Sequence, residues 1–266
     1  MNLPFFWIDA FSAHVFAGNP AGVVPLGHWL PDGAMQQIAF ENGLSETAFF
    51  VPTGPGQYHL RWFTPAVEVE LCGHATLASA HVVWTELGER APVVTFASRS
   101  GPLPVTRRPD GSLELDFPAT PPAPEHAAAV QEAVTAALGQ APAWLGRTKF
   151  DLFAVLADAA RVRALRPDFA AVAAAGTRGL IVTAPGDDGC DFVSRFFAPQ
   201  SGVPEDPVTG SAHSALTPYW AARLEKTRLH AHQLSARGGE LWCEFRGDRV
   251  GIAGRAVTYL RGTLEA

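Results

Sequence analysis

Hydrophobic and polar positions alternate along much of this chain in short runs rich in β-branched and aromatic residues, the period of half-buried strands. Thr47 to Val51, Tyr58 to Phe63 and Val93 to Phe96 are such runs. Ser112-Leu113-Glu114-Leu115-Asp116-Phe117 then alternates strictly, and Pro118-Ala119-Thr120-Pro121-Pro122-Ala123-Pro124 ends every regular pattern. A boundary placed there gives an N-terminal half of residues 1–117, which the last C-terminal strand is able to join, and a C-terminal half of residues 118–266. The second half is predicted to open with a helix, Glu125 to Leu138. Strands follow at Phe150 to Leu156, Gly179 to Thr183, Asp191 to Phe197, Glu240 to Phe245 and Val250 to Ala253. One further helix is predicted in each half. His74 to Leu87 sets Leu77, Val83, Trp84 and Leu87 near one face, and Ser211 to Leu224 does so with Leu216, Tyr219, Trp220 and Leu224. Pro218 lies inside the latter and is expected to kink or interrupt it. Many strands and one principal buried helix per half make an α+β protein, not a Rossmann domain.

The halves echo each other. Arg61-Trp62-Phe63-Thr64-Pro65 recurs as Arg195-Phe196-Phe197-Ala198-Pro199 at an offset of almost half the chain. Each copy leads through an acidic loop to a small-residue helix start, Cys72-Gly73-His74-Ala75-Thr76 and Thr209-Gly210-Ser211-Ala212-His213. Agreement in content, order and downstream context reads as a diverged duplication.

Composition narrows the class. The 266 residues are 47% hydrophobic and 17% charged with a formal net charge of −6, those of a globular, mildly acidic chain. No basic stripe interleaved with aromatics is present, so a nucleic-acid partner is not expected. The Ala-rich stretch from Phe169 to Ala184 is broken by Gly176, Arg178 and Gly179, and no uncharged run reaches the ~18 residues a membrane span requires. The N-terminus lacks a basic leader and reads as a first strand. Cys72, Cys190 and Cys243 cannot all pair, which points to a reducing cytoplasm. Seven tryptophans and seventeen phenylalanines are more than two modest cores require, and favour a homodimer through apolar strands.

Nucleotide-binding glycine motifs, a Walker sequence and a nucleophile elbow are absent. His74 and His81 have no metal-ligand spacing, and His230-Ala231-His232 reads as solvated surface, so neither metal nor organic cofactor is expected. Simple acid–base chemistry remains. The two glycine-opened helix starts are candidate carboxylate sites, since helix N-terminal N–H groups and the positive dipole end attract anions. Alternatively, Gly73 and Gly210 simply allow tight turns.

Four blocks then stand in order: Asp9-Ala10-Phe11 with Gly18-Asn19-Pro20-Ala21-Gly22-Val23; Leu44-Ser45-Glu46-Thr47-Ala48-Phe49; Leu71-Cys72-Gly73-His74-Ala75-Thr76; and Asp206-Pro207-Val208-Thr209-Gly210-Ser211-Ala212-His213. From Ile8 to about Trp220 the chain resembles the phenazine biosynthesis-like (PhzF) family. That resemblance implies a fold similar to diaminopimelate epimerase: two pseudo-symmetric halves, each a β-barrel-like sheet around a central helix. It implies a cofactor-independent isomerase acting on a small amino or hydroxy carboxylic acid, with Glu46 as general acid/base. Asp206, His74 and Ser211 match cleft residues that hold substrate, and Gly73 and Gly210 match backbone donors. Asn19 is a candidate cleft wall. By residue type alone, Glu46 reads equally as a solvated strand charge, Asp206 as a turn former, His74 as a core or cap residue, and Asn19 as part of a tight turn.

The related epimerases use a cysteine from each half. Cys72 stands at the first such position, but its counterpart is Asp206 or Thr209, depending on gap placement, so a one-cysteine epimerase is the alternative chemistry. A buried, inert Cys72 is the plainer reading, and a catalytically silent metabolite-binding module is the alternative of another class. The resemblance and the repeat together predict that Glu46 and Asp206 meet across one cleft.

Overall fold

The structure is a computed structural model describing residues 2–266. In chain order its elements are β1 (Asn2–Ala10), β2 (Asn19–Pro25), α1 (Asp32–Asn42), β3 (Glu46–Gly54), β4 (Gln57–Phe63), β5 (Glu68–Val69), α2 (Gly73–Thr85), β6 (Val93–Ser98), β7 (Gly101–Arg107) and β8 (Leu113–Pro118). Then come β9 (Ala123–Pro124), α3 (Ala128–Leu138), β10 (Trp144–Arg147), β11 (Asp151–Val155), α4 (Ala159–Ala164), α5 (Phe169–Ala174), β12 (Gly179–Pro185), β13 (Phe192–Ala198) and β14 (Val203–Asp206). The chain ends through α6 (Gly210–Leu224), β15 (Arg228–Gln233), β16 (Gly239–Phe245), β17 (Arg249–Gly254) and β18 (Ala256–Glu265). Two compact units result, one running to Asp116 and joined by Ala253–Ala266, the other Phe117–Ile252.

The units repeat one pairing scheme. In the first, β1–β2, β3–β4, β4–β5 and β6–β7 are antiparallel, while β2–β3 and β4–β6 are parallel. In the second, β10–β11, β12–β13, β13–β14 and β15–β16 are antiparallel, while β11–β12 and β13–β15 are parallel. The repeated sequence segments fall on equivalent strands, β4 and β13. There Arg61 makes a two-pronged contact with Glu68 (2.7 and 2.8 Å) and lies over Phe63, as Arg195 does with Glu205 (2.7 and 2.8 Å) and Phe197. Paired forks of this kind fix both partners' geometry, so each arginine clamps the strand that leads to its helix.

Each unit buries one helix. In α2 every residue from Gly73 to Ala80 is buried, as are Val82 to Trp84, and the helix packs on β1, β2, β3 and β18. Its apolar burial contributes roughly 1.5–3 kcal/mol for each large side chain such as Leu77. The helix α6 is buried from Ala212 to Pro218 and again at Trp220 and Ala221. Contrary to expectation, Pro218 does not interrupt it. Proline supplies no N–H to the carbonyl four residues back, and that carbonyl, Ser214 O, instead accepts the backbone N–H of Thr120 (2.9 Å). The orphaned acceptor is thereby satisfied within the unit. The predicted helix from Glu125 begins only at Ala128, because the Glu125 carboxylate accepts the Ala127 N–H and its own N–H bonds Leu145 O.

Candidate active site

Local backbone chemistry delivers Glu46. The helix α1 ends at Gly43 in the left-handed conformation (φ 61°), Leu44 then plugs the core, and β3 starts at Glu46 beside Ala21 of β2. Alternation sends Thr47 inward, fully buried and hydrogen-bonded by Asn42, and leaves the Glu46 side chain on the other face with 17% exposure. Asn19 is placed by Gly18, whose φ of +69° and close approach to Ala10 O, 2.2 Å from where a Cβ would stand, admit only glycine. Asn19 is wholly buried at the start of β2.

His74 joins these groups. It is the second residue of α2, 5% exposed, with Nε2 3.2 Å from Glu46 Oε2 and Nδ1 3.1 Å from Asn19 Nδ2. An amide nitrogen only donates, so Nδ1 accepts from Asn19 and a neutral ring carries its proton on Nε2, facing the carboxylate; the tautomer is assigned from this network. Burial lowers the His74 pKa to about 3, against the opposing pull of the Pro20 carbonyl, which accepts from the ring. The imidazole is neutral at pH 7, so its 3.2 Å approach to Glu46 is a polar contact of a buried ring with the carboxyl group rather than an ion pair. As an acid in its own right such a ring would be mismatched to neutral pH.

Cys72 occupies the N-cap position of α2 and is buried, with Sγ 3.5 Å from His74 Nδ1. Its carbonyl accepts the Thr76 N–H (3.2 Å) and the Thr76 hydroxyl (2.6 Å). The donor atoms of Glu46, Cys72 and His74 lie within 4.8 Å of one another. The imidazole Nδ1 already meets Asn19 and Cys72, and Nε2 faces Glu46.

In the second unit Asp206 ends β14, and its Oδ2 accepts the Thr209 hydroxyl at 2.5 Å. Thr209 is the N-cap of α6 and Gly210 its first residue, so Thr209, not Asp206, is the structural counterpart of Cys72. Ser211 follows, half-buried, at the place His74 holds in α2. Two residues that sequence reasoning passed over hold this loop. Buried Gln233 on β15 accepts the Thr209 N–H (2.9 Å) and donates to Asp206 O (2.8 Å), and His213 Nδ1 donates to Thr209 O (2.8 Å). Burial lowers the His213 pKa to about 4, so it too is neutral and serves as a cap. The third residue after Gly210 was the one available signal, since Thr76 does the same service three residues after Gly73.

A duplicated strand order with one buried helix in each unit, and with Glu46 beside a neutral imidazole at one helix start, is an epimerase-like fold. The same architecture occurs in a hydroxyproline epimerase from Agrobacterium vitis, 11% identical with a TM-score of 0.64 over 99% of this chain and 92% of that one, a likeness of fold alone. The family model described as phenazine biosynthesis-like protein matches residues 8–262, and the chain belongs to that family. It is 52% identical to an uncharacterized isomerase of Pseudomonas aeruginosa, with all of both chains covered. A crystal structure of a PhzF-family protein from Enterococcus faecalis superposes with a TM-score of 0.95 at 46% identity, again over the full length of both. No helix among the described residues is long and apolar enough to cross a membrane.

Proposed function

We propose that this protein is a cofactor-independent isomerase in which Glu46 takes a proton from one carbon of a small amino or hydroxy carboxylic acid and returns it to another. The observation that carries this reading is the Glu46–His74–Asn19 cluster (3.2 and 3.1 Å): a carboxyl group reachable by solvent that abuts a buried neutral ring whose other nitrogen meets Asn19. Positioned general acid/base groups contribute about 10²–10⁴-fold in rate, and such positioning needs a rigid support. On this reading Gly73 and Gly210 offer backbone N–H groups to substrate carboxylate, and Asp206 and Ser211 keep the substrate-holding roles the resemblance gives them. Cys72 supports the ring rather than reacting, and the chain works in a reducing cytoplasm, none of its three cysteines forming a disulfide.

The test is a panel of amino and hydroxy carboxylic acids in D2O, followed by NMR. Enzyme-dependent deuterium incorporation that survives Cys72→Ala and is lost in Glu46→Gln is the expected result. Exchange lost in Cys72→Ala and kept in Glu46→Gln would establish the one-cysteine chemistry instead. Ligand binding without exchange for any acid would mark a binding module.

We also propose a homodimer formed through apolar strand surface of the first unit. Phe16 is 70% exposed and packs edge-on against Tyr259 of β18, itself 45% exposed, which in turn meets Trp7 of β1. Sedimentation at micromolar concentration yielding monomer alone defeats this.

A further inference from the structure

One face of β15 and β16 gathers three metal-ligating side chains far in sequence from Glu46, Cys72 and His74. His230 and His232 are two apart on β15 and so share a face, and the register sets Glu240 directly opposite His232, with Trp242 opposite His230. Glu240 Oε1 lies 2.7 Å from His230 Nε2 and 3.8 Å from His232 Nε2, and all three donor atoms fall within 4.8 Å of one another. Their side chains are 28%, 33% and 45% exposed, open to an ion from solvent without being loose. We propose that His230, His232 and Glu240 form a divalent-cation site, of the borderline-soft class to which Zn²⁺ belongs, that fastens β15 to β16.

The donor chemistry supports this. The ring of His230 lies between two acceptors, the Gly189 carbonyl 3.5 Å from Nδ1 and the Glu240 carboxylate 2.7 Å from Nε2, so with the Nδ1 proton on the carbonyl a further positive charge is called for at Nε2. Acceptors converging on one point repel unless a positive charge stands among them, and that charge is either a proton or a metal ion. Orientation of a ligating imidazole by a carbonyl on its other nitrogen is the usual outer support of zinc sites. His230 is held further by stacking on Trp242 (centroids 5.4 Å, 11° between planes) and by the Asp191 carboxylate, which accepts its backbone N–H at 2.8 Å. Two imidazoles and one carboxylate are a common zinc set, in which tetrahedral bonds near 2.0–2.1 Å put ligand atoms about 3.3 Å apart. Closing the 3.8 Å contact and opening the 2.7 Å one by about half an ångström each brings both carboxylate–imidazole pairs to that spacing, and three protein ligands leave the fourth position to water. A His-x-His pair on a strand is read as surface from sequence because its third donor arrives from the neighbouring strand.

Chelator-treated full-length protein titrated with Zn²⁺ by calorimetry, and with Co²⁺ by visible absorption, provides the test. The expected result is uptake of metal with tetrahedral Co²⁺ bands, a Zn²⁺-dependent rise in Tm in accord with linkage, and at least a tenfold weaker affinity in both His232→Gln and Glu240→Gln. Cys72→Ala, which removes a ligand from the other potential donor cluster, leaves the affinity unchanged. Three outcomes overturn the proposal: no uptake at micromolar metal, which leaves a proton as the shared charge; affinity unaffected by His232→Gln and Glu240→Gln; or a cobalt–thiolate charge-transfer band that vanishes with Cys72→Ala.

Discussion

At the start of β3 the first unit carries Glu46, and at the equivalent place the second unit carries nothing but backbone. The correspondence follows from register: Thr47 opposes Phe63 and Phe49 opposes Arg61, while Leu180 opposes Phe197 and Val182 opposes Arg195. One residue earlier, Glu46 stands beside Ala21 and Gly179 beside Asp151. A Cβ on Gly179 would lie 2.5 Å from the Phe196 ring and 2.9 Å from Phe197 O, so the second unit has filled with an aromatic ring the space in which the first holds its carboxyl group. The helix starts diverge in the same sense. Cys72-Gly73-His74 brings a buried ring to the carboxyl group, whereas Thr209-Gly210-Ser211 offers a hydroxyl and a loop knotted by Gln233. The two units share the scaffold and its Arg–Glu clamps, and the buried carboxyl–imidazole contact is present in the first unit only.

That asymmetry makes the largest prediction one about rate. Glu46→Gln is expected to lower proton exchange about 10²–10⁴-fold, whereas Asp206→Asn acts through substrate holding and raises KM more than it lowers kcat; equal losses of kcat measured by D2O exchange would erase the distinction. The next test attacks the filled space. Gly179→Ala is expected to cost about 1–3 kcal/mol through overpacking against Phe196, seen as a lower urea midpoint, and a neutral effect would mean that the second unit has room for a side chain after all.

A third prediction treats the units alike. Burial holds His74 at about 3 and His213 at about 4, while the unfolded chain takes up the same protons near pH 6.5. Stability is therefore intact above pH 6.5 and falls as pH drops from there toward 4 and 3, by about 2 kcal/mol per histidine at pH 5. Urea unfolding near neutrality and at pH 5 checks this, with the acid sensitivity reduced in both His74→Asn and His213→Asn; a reduction in only one locates the effect in a single unit. The smallest effect is expected from Pro218→Ala, within about 1 kcal/mol by thermal unfolding as for proline at a compatible site, because the Ser214 carbonyl already has Thr120 as its partner.

The sequence disclosed those features whose cause is local. Both glycine-opened helices, the strands with strict alternation and the Arg-aromatic repeat were readable because each is a short pattern. Glu46, His74 and Asn19 were reachable only through the resemblance, since a glutamate opening a strand carries no mark of the ring that a helix start far along the chain will bring to it. Helix α1 left little trace because only Met35 and Ala39 of its eleven residues are buried. Gln233 and Glu240 were invisible for a related reason: each acts across a strand pairing or into a loop, and register is not written in either strand alone.

The return of β18 to β1 carries a consequence for how the chain comes into being. Residues Ala256–Glu265 pair with Asn2–Ala10 along their whole length, so the first unit is built from two segments with the entire second unit between them. A ribosome delivers residues in order. The stretch Phe117–Ile252 is contiguous and complete before the last strand is made, whereas the segment bearing Glu46 and His74 must wait with one sheet edge open. Closing so long a loop is slow relative to local contacts, and the exposed edge of β1 is the part of the nascent protein most in need of protection until β18 arrives.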